Sequence, residues 1–185
     1  MKGIQASRDA VERNNAQIVR RYFDQVWNRG DLDAVERFFG DEFTNFSHRS
    51  PDARALIAKI VTIWRTAFPD LRFEIEDEVV RGDAVVHLIT CSGTHEGTLE
   101  HPAIGVLPAT SRSFRVDHMH INRVRDGRIV QHWGTRNDLS MLQQLGVDMG
   151  QQSAGSFTSS AGWQRPLEPD RHRGYDRGVA AREDK

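Results

Sequence analysis

Three histidines, two aspartates and several arginines crowd the segment RVDHMHINRVRDGRIVQHWGTRND, residues 115–138. His118, His120 and His132 have side chains that can hold a metal, pass protons in a pocket, or sit on the wet face of a sheet. Which of them can meet depends on the turn at the centre. Asp126-Gly127 between branched apolar residues predicts a two-residue hairpin with both central residues at positive φ. That turn opposes Val124 to Ile129, Asn122 to Gln131, His120 to Trp133 and His118 to Thr135. Side chains alternate across a strand, so His118, His120, Asn122, Gln131, Trp133 and Thr135 share one face. Asp117, Met119, Ile121, His132, Gly134 and Arg136 share the other. A single bulge would carry part of one strand to the opposite face.

The His-x-His pair at 118 and 120 could begin a three-ligand metal site. INRV, which follows it, supplies no glutamate, and His132 falls on the other face, so no metal site is expected. Proton transfer needs an ionisable group in a cavity, oriented by a second group. Asp117 facing Arg136, or His118 and His120 near Trp133, could supply it. Cys91, in ITCSG, reads as a small buried residue rather than a nucleophile.

Three helices and a run of strands must position these groups. Residues 14–28 carry Ile18, Val19, Tyr22, Phe23, Val26 and Trp27 at helical spacing, with Gly30 as a stop. Asp31 can cap a short helix with Leu32, Val35, Phe38 and Phe39 on its apolar side. Ser50-Pro51 offers the start of a third helix running to about Phe68, with Leu56, Ile57, Ile60, Ile63 and Trp64 inward. From Leu71 the apolar period becomes two, and strands are expected at roughly 71–81, 83–94, 112–125 and 128–138. Helices followed by strands argue for an α+β fold. The RGD at 81–83 reads as a hairpin turn rather than an adhesion tripeptide. Residues 95–111, punctuated by Gly and Pro, are apolar enough to cover a pocket mouth.

The chain has 185 residues, 38% hydrophobic and 28% charged, with net charge −1. This suits one domain with a sizeable core and gives no electrostatic argument for nucleic acid or an anionic membrane as partner. One cysteine excludes an internal disulfide. The first residues lack the apolar stretch of a signal peptide, and no membrane-length apolar run occurs, so a cytoplasmic protein is expected. Residues 1–13 read as an N-terminal extension, 14–148 as the domain, and 149–185 as a polar tail, mobile or lying on a partner subunit, with Trp163 and Tyr175 as its large anchors.

FPDL at 68–71, GTHEG at 93–97, DGRIVQHW at 126–133 and DLSMLQQLG at 138–146 together resemble the SnoaL-like polyketide cyclases, or ester cyclases, of the nuclear transport factor 2-like superfamily. The resemblance spans roughly 14–148. It implies a cone of curved, mostly antiparallel sheet around helices, an apolar cavity, and a homodimer formed through the sheet. It also implies an intramolecular aldol reaction on a polyketide ester without metal or cofactor, with a carboxylate and a histidine on the last two strands as acid and base. His118 or His120 matches that histidine, and Asn45 matches a substrate-binding asparagine of the early loop. Many relatives have Asp directly after His-Trp. Here Gly134 stands there, leaving Asp138 or Asp117 to replace the acid. His commonly follows the loop asparagine, but here Phe46 does, with His48 two residues later. PATSRS at 108–113 replaces a more usual Pro-Thr-Gly turn.

Two classes of function follow. One is a cofactor-free enzyme on a hydrophobic small molecule, a cyclase, isomerase or dehydratase using His118 or His120 with a carboxylate. An epoxide-opening variant would use Asp117 and Arg136. The other is a non-catalytic ligand carrier, since fold alone does not assign chemistry. In either class Trp27, Trp64, Phe46, His95 and Trp133 are candidates to line the cavity with Asn45.

Overall fold

The computed structural model describes residues 2–48 and 50–148; the tail with Trp163 and Tyr175 lies outside them. Helix α1 (Lys2–Tyr22) takes in residues 2–13 of the expected extension and runs on as a wider π-helical turn, Phe23–Asn28. That turn buries Phe23, Val26 and Trp27 together. The Asp31 carboxylate accepts from the backbone N–H of Ala34 at the start of α2 (Ala34–Phe38). Phe39, expected within this helix, instead opens strand β1 (Phe39–Asn45), because its backbone turns extended and pairs with the last strand. Helix α3 (Ala53–Ala67) is capped by Asp52, whose carboxylate accepts from the Ala55 N–H at 2.9 Å. Ser50, the expected cap, holds the Asp52 backbone instead.

Strands β2 (Arg72–Arg81), β3 (Ala84–Thr94), β6 (Ser113–Arg125) and β7 (Arg128–Arg136) occur where the period of two predicts them. Within the segment expected as a pocket-mouth loop, β4 (Leu99–His101) and β5 (Gly105–Leu107) form a small hairpin. β7 stops short of residue 138, because the Asn137 side chain accepts from the Ser140 N–H and starts helix α4 (Asp138–Gln144). The main sheet has the order β1-β7-β6-β3-β2, with β1 parallel to β7 and the other pairs antiparallel. The fold is α+β: side chains of α1, α2 and α3 such as Tyr22, Phe38 and Trp64 share a core with Phe39, Ile89 and Ile129 of the sheet.

Both predicted hairpin turns form. Asp126 and Gly127 have φ of 49° and 76°, the left-handed pair that a two-residue turn requires. The RGD segment turns at Gly82-Asp83 and is braced by α1, with Asn15 donating to the Gly82 carbonyl and Gly82 N–H to the Glu12 carboxylate. No helix among the described residues is long and apolar enough to cross a membrane.

The pairing of β6 with β7 corrects the predicted register. Val124 opposes Ile129 as expected, but Arg123 opposes Gln131, so Val130 is an extra, bulged residue. Beyond it Asn122 opposes His132, His120 opposes Gly134 and His118 opposes Arg136. The bulge therefore moves His132, Gly134 and Arg136 onto the face of His118 and His120, and sends Trp133 and Thr135 to the other.

Candidate active site

On β6, Phe114, Val116, His118, His120, Asn122 and Val124 are buried, while Arg115, Asp117, Met119 and Ile121 are exposed. The buried row faces the helices, and there a cavity of about 30 Å³ opens. Trp27 of the π-turn, Ile57, Ile60 and Trp64 of α3, and Phe73 of β2 form its apolar wall. Asn45 and His48 come from the end of β1 and the loop after it; His118, His120, His132, Gly134 and Arg136 come from the last hairpin. Its volume admits one or two waters and is far below that of a typical ligand cleft. A substrate must widen it; His48, Ile60 and Arg136 are half-buried side chains of its lining.

Hydrogen bonds fix the tautomers at one end. The Asn45 Oδ1 accepts the backbone N–H groups of Ser47 at 3.0 Å and His48 at 3.2 Å, which orients the amide. His132 Nδ1, 3.4 Å from that oxygen, is therefore the donor, and its Nε2 is left to accept from His120 Nδ1–H at 3.0 Å. His120 Nε2 is then an unprotonated nitrogen, buried without a partner among the described residues. His118 is freer still: both its ring nitrogens are buried and unpartnered there, with its ring edge-on to Trp64 and Phe73.

Burial pushes the imidazoles toward the neutral form. His118 and His132 are lowered to about 4, His118 by burial and then by the Arg136 cation, His132 by burial and then by His48 and Arg136. His120 is pushed well below its ordinary value by burial and by the surrounding histidines and Arg136. His48 is lowered by burial and Arg136, against the pull of Asp138. Burial alone would raise the Asp138 carboxyl, but His101 and Arg136 beside it hold it below the usual carboxylate range. Asp138 lies 2.9 Å from Arg136 Nη2 and 3.5 Å from His101 Nε2.

His118, His120, Asn45, Trp27, Trp64 and Arg136 thus come together. Asp117 does not: it is exposed on the outer face, so it cannot pair with Arg136 across the pocket. Asp138 stands behind Arg136 rather than in the lining. Phe46 and Trp133 stack on one another, centroids 4.4 Å apart, on the outer side where Trp133 opposes Ile121. His95 is buried elsewhere, against Phe68 and Thr110. Cys91 is fully buried, and burial pushes its thiol far up, which leaves it inert. Ile57 and Ile60, expected only as inward residues of the third helix, and His48, noted only for its place in the early loop, line the pocket together with Phe73; His101 beside Asp138 was not singled out, and His132 was placed on the wrong face. The alternation of Phe73 with its polar neighbours marked it as inward, whereas no local signal announces the bulge at Val130.

Gly134 has a specific spatial cause. A Cβ there would lie 2.9 Å from His120 Nδ1 and 3.2 Å from His132 Cε1. The bonded imidazole pair occupies the space that a side chain at 134 would need. Among the described residues no group of three or more His, Cys, Asp or Glu is arranged to hold a metal ion. The set that remains is neutral imidazole and one guanidinium in a nearly dry, aromatic-walled slot, suited to moving a proton beside a carbonyl.

Comparison with known proteins agrees with this architecture. A family model described as SnoaL-like polyketide cyclase matches residues 17–145. The aklanonic acid methyl ester cyclase DauD of Streptomyces sp. (strain C5) is 29% identical over 175 residues, covering 88% of this chain and 94% of that protein. The structure of TsrD from Streptomyces laurentii is 26% identical with a TM-score of 0.59, over 70% of this chain and 92% of that one. A SnoaL-like polyketide cyclase from Agrobacterium tumefaciens, 20% identical, shares the fold at a TM-score of 0.57, over 70% and 95% of the two chains. With the helices packed on a mixed sheet and the match extending over most of the described residues, the chain belongs to the SnoaL-like polyketide cyclase family, with the NTF2-like fold.

Proposed function

We propose that the protein is a cofactor-free acid/base enzyme that closes a ring in a polyketide-type substrate by an intramolecular aldol reaction. His118 takes the proton from a carbon beside a carbonyl, and the electron pair passes into an enolate whose oxygen faces Arg136. The enolate carbon attacks a ketone carbon, a C–C bond forms, and the carbonyl π pair moves to oxygen. The imidazolium of His118 returns the proton to that alkoxide, so the product is an isomer of the substrate. The observation that carries this reading is His118, with both ring nitrogens unpartnered, paired across the strands with Arg136 in an apolar pocket. Burial keeps His120 and His132 toward the neutral form, and the Asn45–His132–His120 chain fixes their tautomers.

The test is incubation of the full chain with aklanonic acid methyl ester, and with its free acid, in D₂O. Ring closure or deuterium uptake at the activated carbon, abolished in His118→Gln, supports the enzyme. Recovery of bound but unlabelled, uncyclised compound leaves a ligand carrier.

We also propose a homodimer through the outer face of the sheet, where Val79, Leu88, Met119 and Ile121 are exposed apolar side chains. Light scattering at micromolar concentration measures it directly.

A further inference from the structure

His87 of β3 is fully buried and directly opposite His120 in the β3–β6 pairing. Its Nε2 lies 2.7 Å from Oε2 of Glu78, its neighbour across to β2. On an unbroken strand Glu78 would face outward, because Phe73 and Ile75 set the inward phase of β2. An extra residue at Glu76 shifts that phase and turns the Glu78 carboxylate toward His87. Arg20 of α1 grips the same carboxylate, Nη2 on Oε1 at 2.7 Å and Nε on Oε2 at 3.0 Å. Arg20 and Glu78 both line an open groove between α1 and β2.

A carboxylate paired with arginine only accepts, so His87 Nε2 carries the hydrogen and its Nδ1 is bare. That Nδ1 is buried without a partner among the described residues, as is Nε2 of His120. Two hydrogen-bonded runs therefore cross the sheet from opposite edges. Asn45, His132 and His120 form one, with its hydrogens directed toward β1; Glu78 and His87 form the other, directed toward β2. They meet between β6 and β3 as two lone pairs with no hydrogen between them. Phe23 packs on both imidazoles, at centroid distances of 5.8 and 5.2 Å, and covers the gap from the helix side. Asn122, the next inward residue of β6, adds an amide whose oxygen and nitrogen are also buried and unpartnered among the described residues.

Two bare acceptors in a buried gap call for a species that gives two hydrogens, and water is the smallest. We infer that one water bridges His120 and His87, and that the row across the sheet is a proton relay between the pocket and the groove at Glu78. His118, its ring centroid 5.7 Å from that of His120, stands at the pocket end. A proton arriving through the bridge bonds to His87 Nδ1 while the Nε2–H proton passes to Glu78 Oε2. One proton enters the ring and one leaves, so the imidazole ends neutral. The inference rests on the reading of His118 as the base, and it gives that base exchange with solvent while the slot stays closed.

The experiment is a pH titration of the full chain with ¹⁵N-labelled histidines, followed by NMR, which reports the tautomer and charge of each ring. The charged and titratable groups around the two imidazoles are Glu78 of β2, Arg20 of α1, His118 of β6, and His132 and Arg136 of β7. At neutral pH His87 should carry its hydrogen on Nε2 and His120 on Nδ1. On acidification the bare nitrogens of both should move with a common midpoint, because one proton is shared across the bridge. Glu78→Gln keeps the shape but removes the charge that balances this proton, and should lower the midpoint at both rings by about one pH unit. If that variant does not fold, Arg20→Met tests the same point in the opposite sense and should raise both. Separate midpoints, a His120 midpoint that ignores both substitutions, or a His87 ring protonated at Nδ1 at neutral pH overturns the relay. A common midpoint in a chain that leaves aklanonic acid methyl ester unreacted keeps the relay and removes the aldol reading; ring closure with separate midpoints does the reverse.

Discussion

The two faces of strand β6 are built from one alternating run of residues yet differ in almost every physical respect. On the inner face His118, His120 and Asn122 are buried with polar atoms that find no partner among the described residues. On the outer face Asp117 is solvated, and Met119 and Ile121 are apolar and exposed. Between His118 and Asn122 this inverts the ordinary pattern of apolar inside and polar outside, which Phe114, Val116 and Val124 inward and Arg115 outward keep elsewhere on the strand. Unsatisfied buried polar groups cost stability. Carrying several on one strand is expected where a pocket needs them, and an exposed apolar patch where a partner covers it.

The most direct way to break the comparison is to substitute neighbours on opposite faces. His118→Gln should lower turnover of a cyclised substrate by about 10²- to 10⁴-fold, the usual share of a general base. Asp117→Asn, one residue away, should leave turnover within about twofold, because its side chain is in solvent. Equal losses in both would mean that the faces are not functionally distinct.

Acid stability separates the faces next. His118 and His132 titrate near 4 when folded and at the ordinary 6.5 when unfolded. Between those values the unfolded chain binds more protons, so stability rises with pH through the window and is lost as pH falls. Each group contributes on the order of 3 kcal/mol across it. Urea unfolding at about pH 7.5 and pH 5 measures the slope, and His118→Leu should flatten it. Substitution of Asp117, exposed on the outer face, should not.

A smaller effect is expected at Gly134. Gly134→Asp forces a side chain into the space of the His120–His132 pair and should cost about 1–3 kcal/mol, read as a lower urea midpoint. A variant as stable as the wild type would show that the imidazoles swing aside freely. The smallest effect on the pocket belongs to Ile121→Glu, which should halve the mass seen by light scattering while the unfolding midpoint of the separated chains stays within about 1 kcal/mol. A persistent dimer would move the interface elsewhere.

Much of this was legible in the sequence. The Asp126-Gly127 turn, the four long strands and the alternation that keeps His118, His120 and Asn122 on one face of β6 follow from turn chemistry and a period of two, both local properties; which of the two faces turns inward does not. Asn45, His118, His120, Trp27, Trp64 and Arg136 were candidates before any coordinates, although Arg136 had been set on the face of Asp117. Phe46 and Trp133 were also candidates, yet they meet outside the pocket. His95 was another, and it packs into a different part of the core. β1 was missed because its partner, β7, lies about ninety residues away, and such pairing leaves no periodicity in a seven-residue strand.

What the sequence determined by itself is therefore the inventory: which groups can carry protons, which strands they ride on, and the turn that joins those strands. Tertiary structure alone decided the phase. Val130 bulges against β6, and that one extra residue exchanges the two faces of β7. It brings His132 and Arg136 to His118 and His120, and puts Gly134 where the imidazole pair needs an empty place. A side-chain period of two makes any one-residue shift a change of face, and the energy that selects the shift lies in packing between distant segments rather than in the residues of the hairpin.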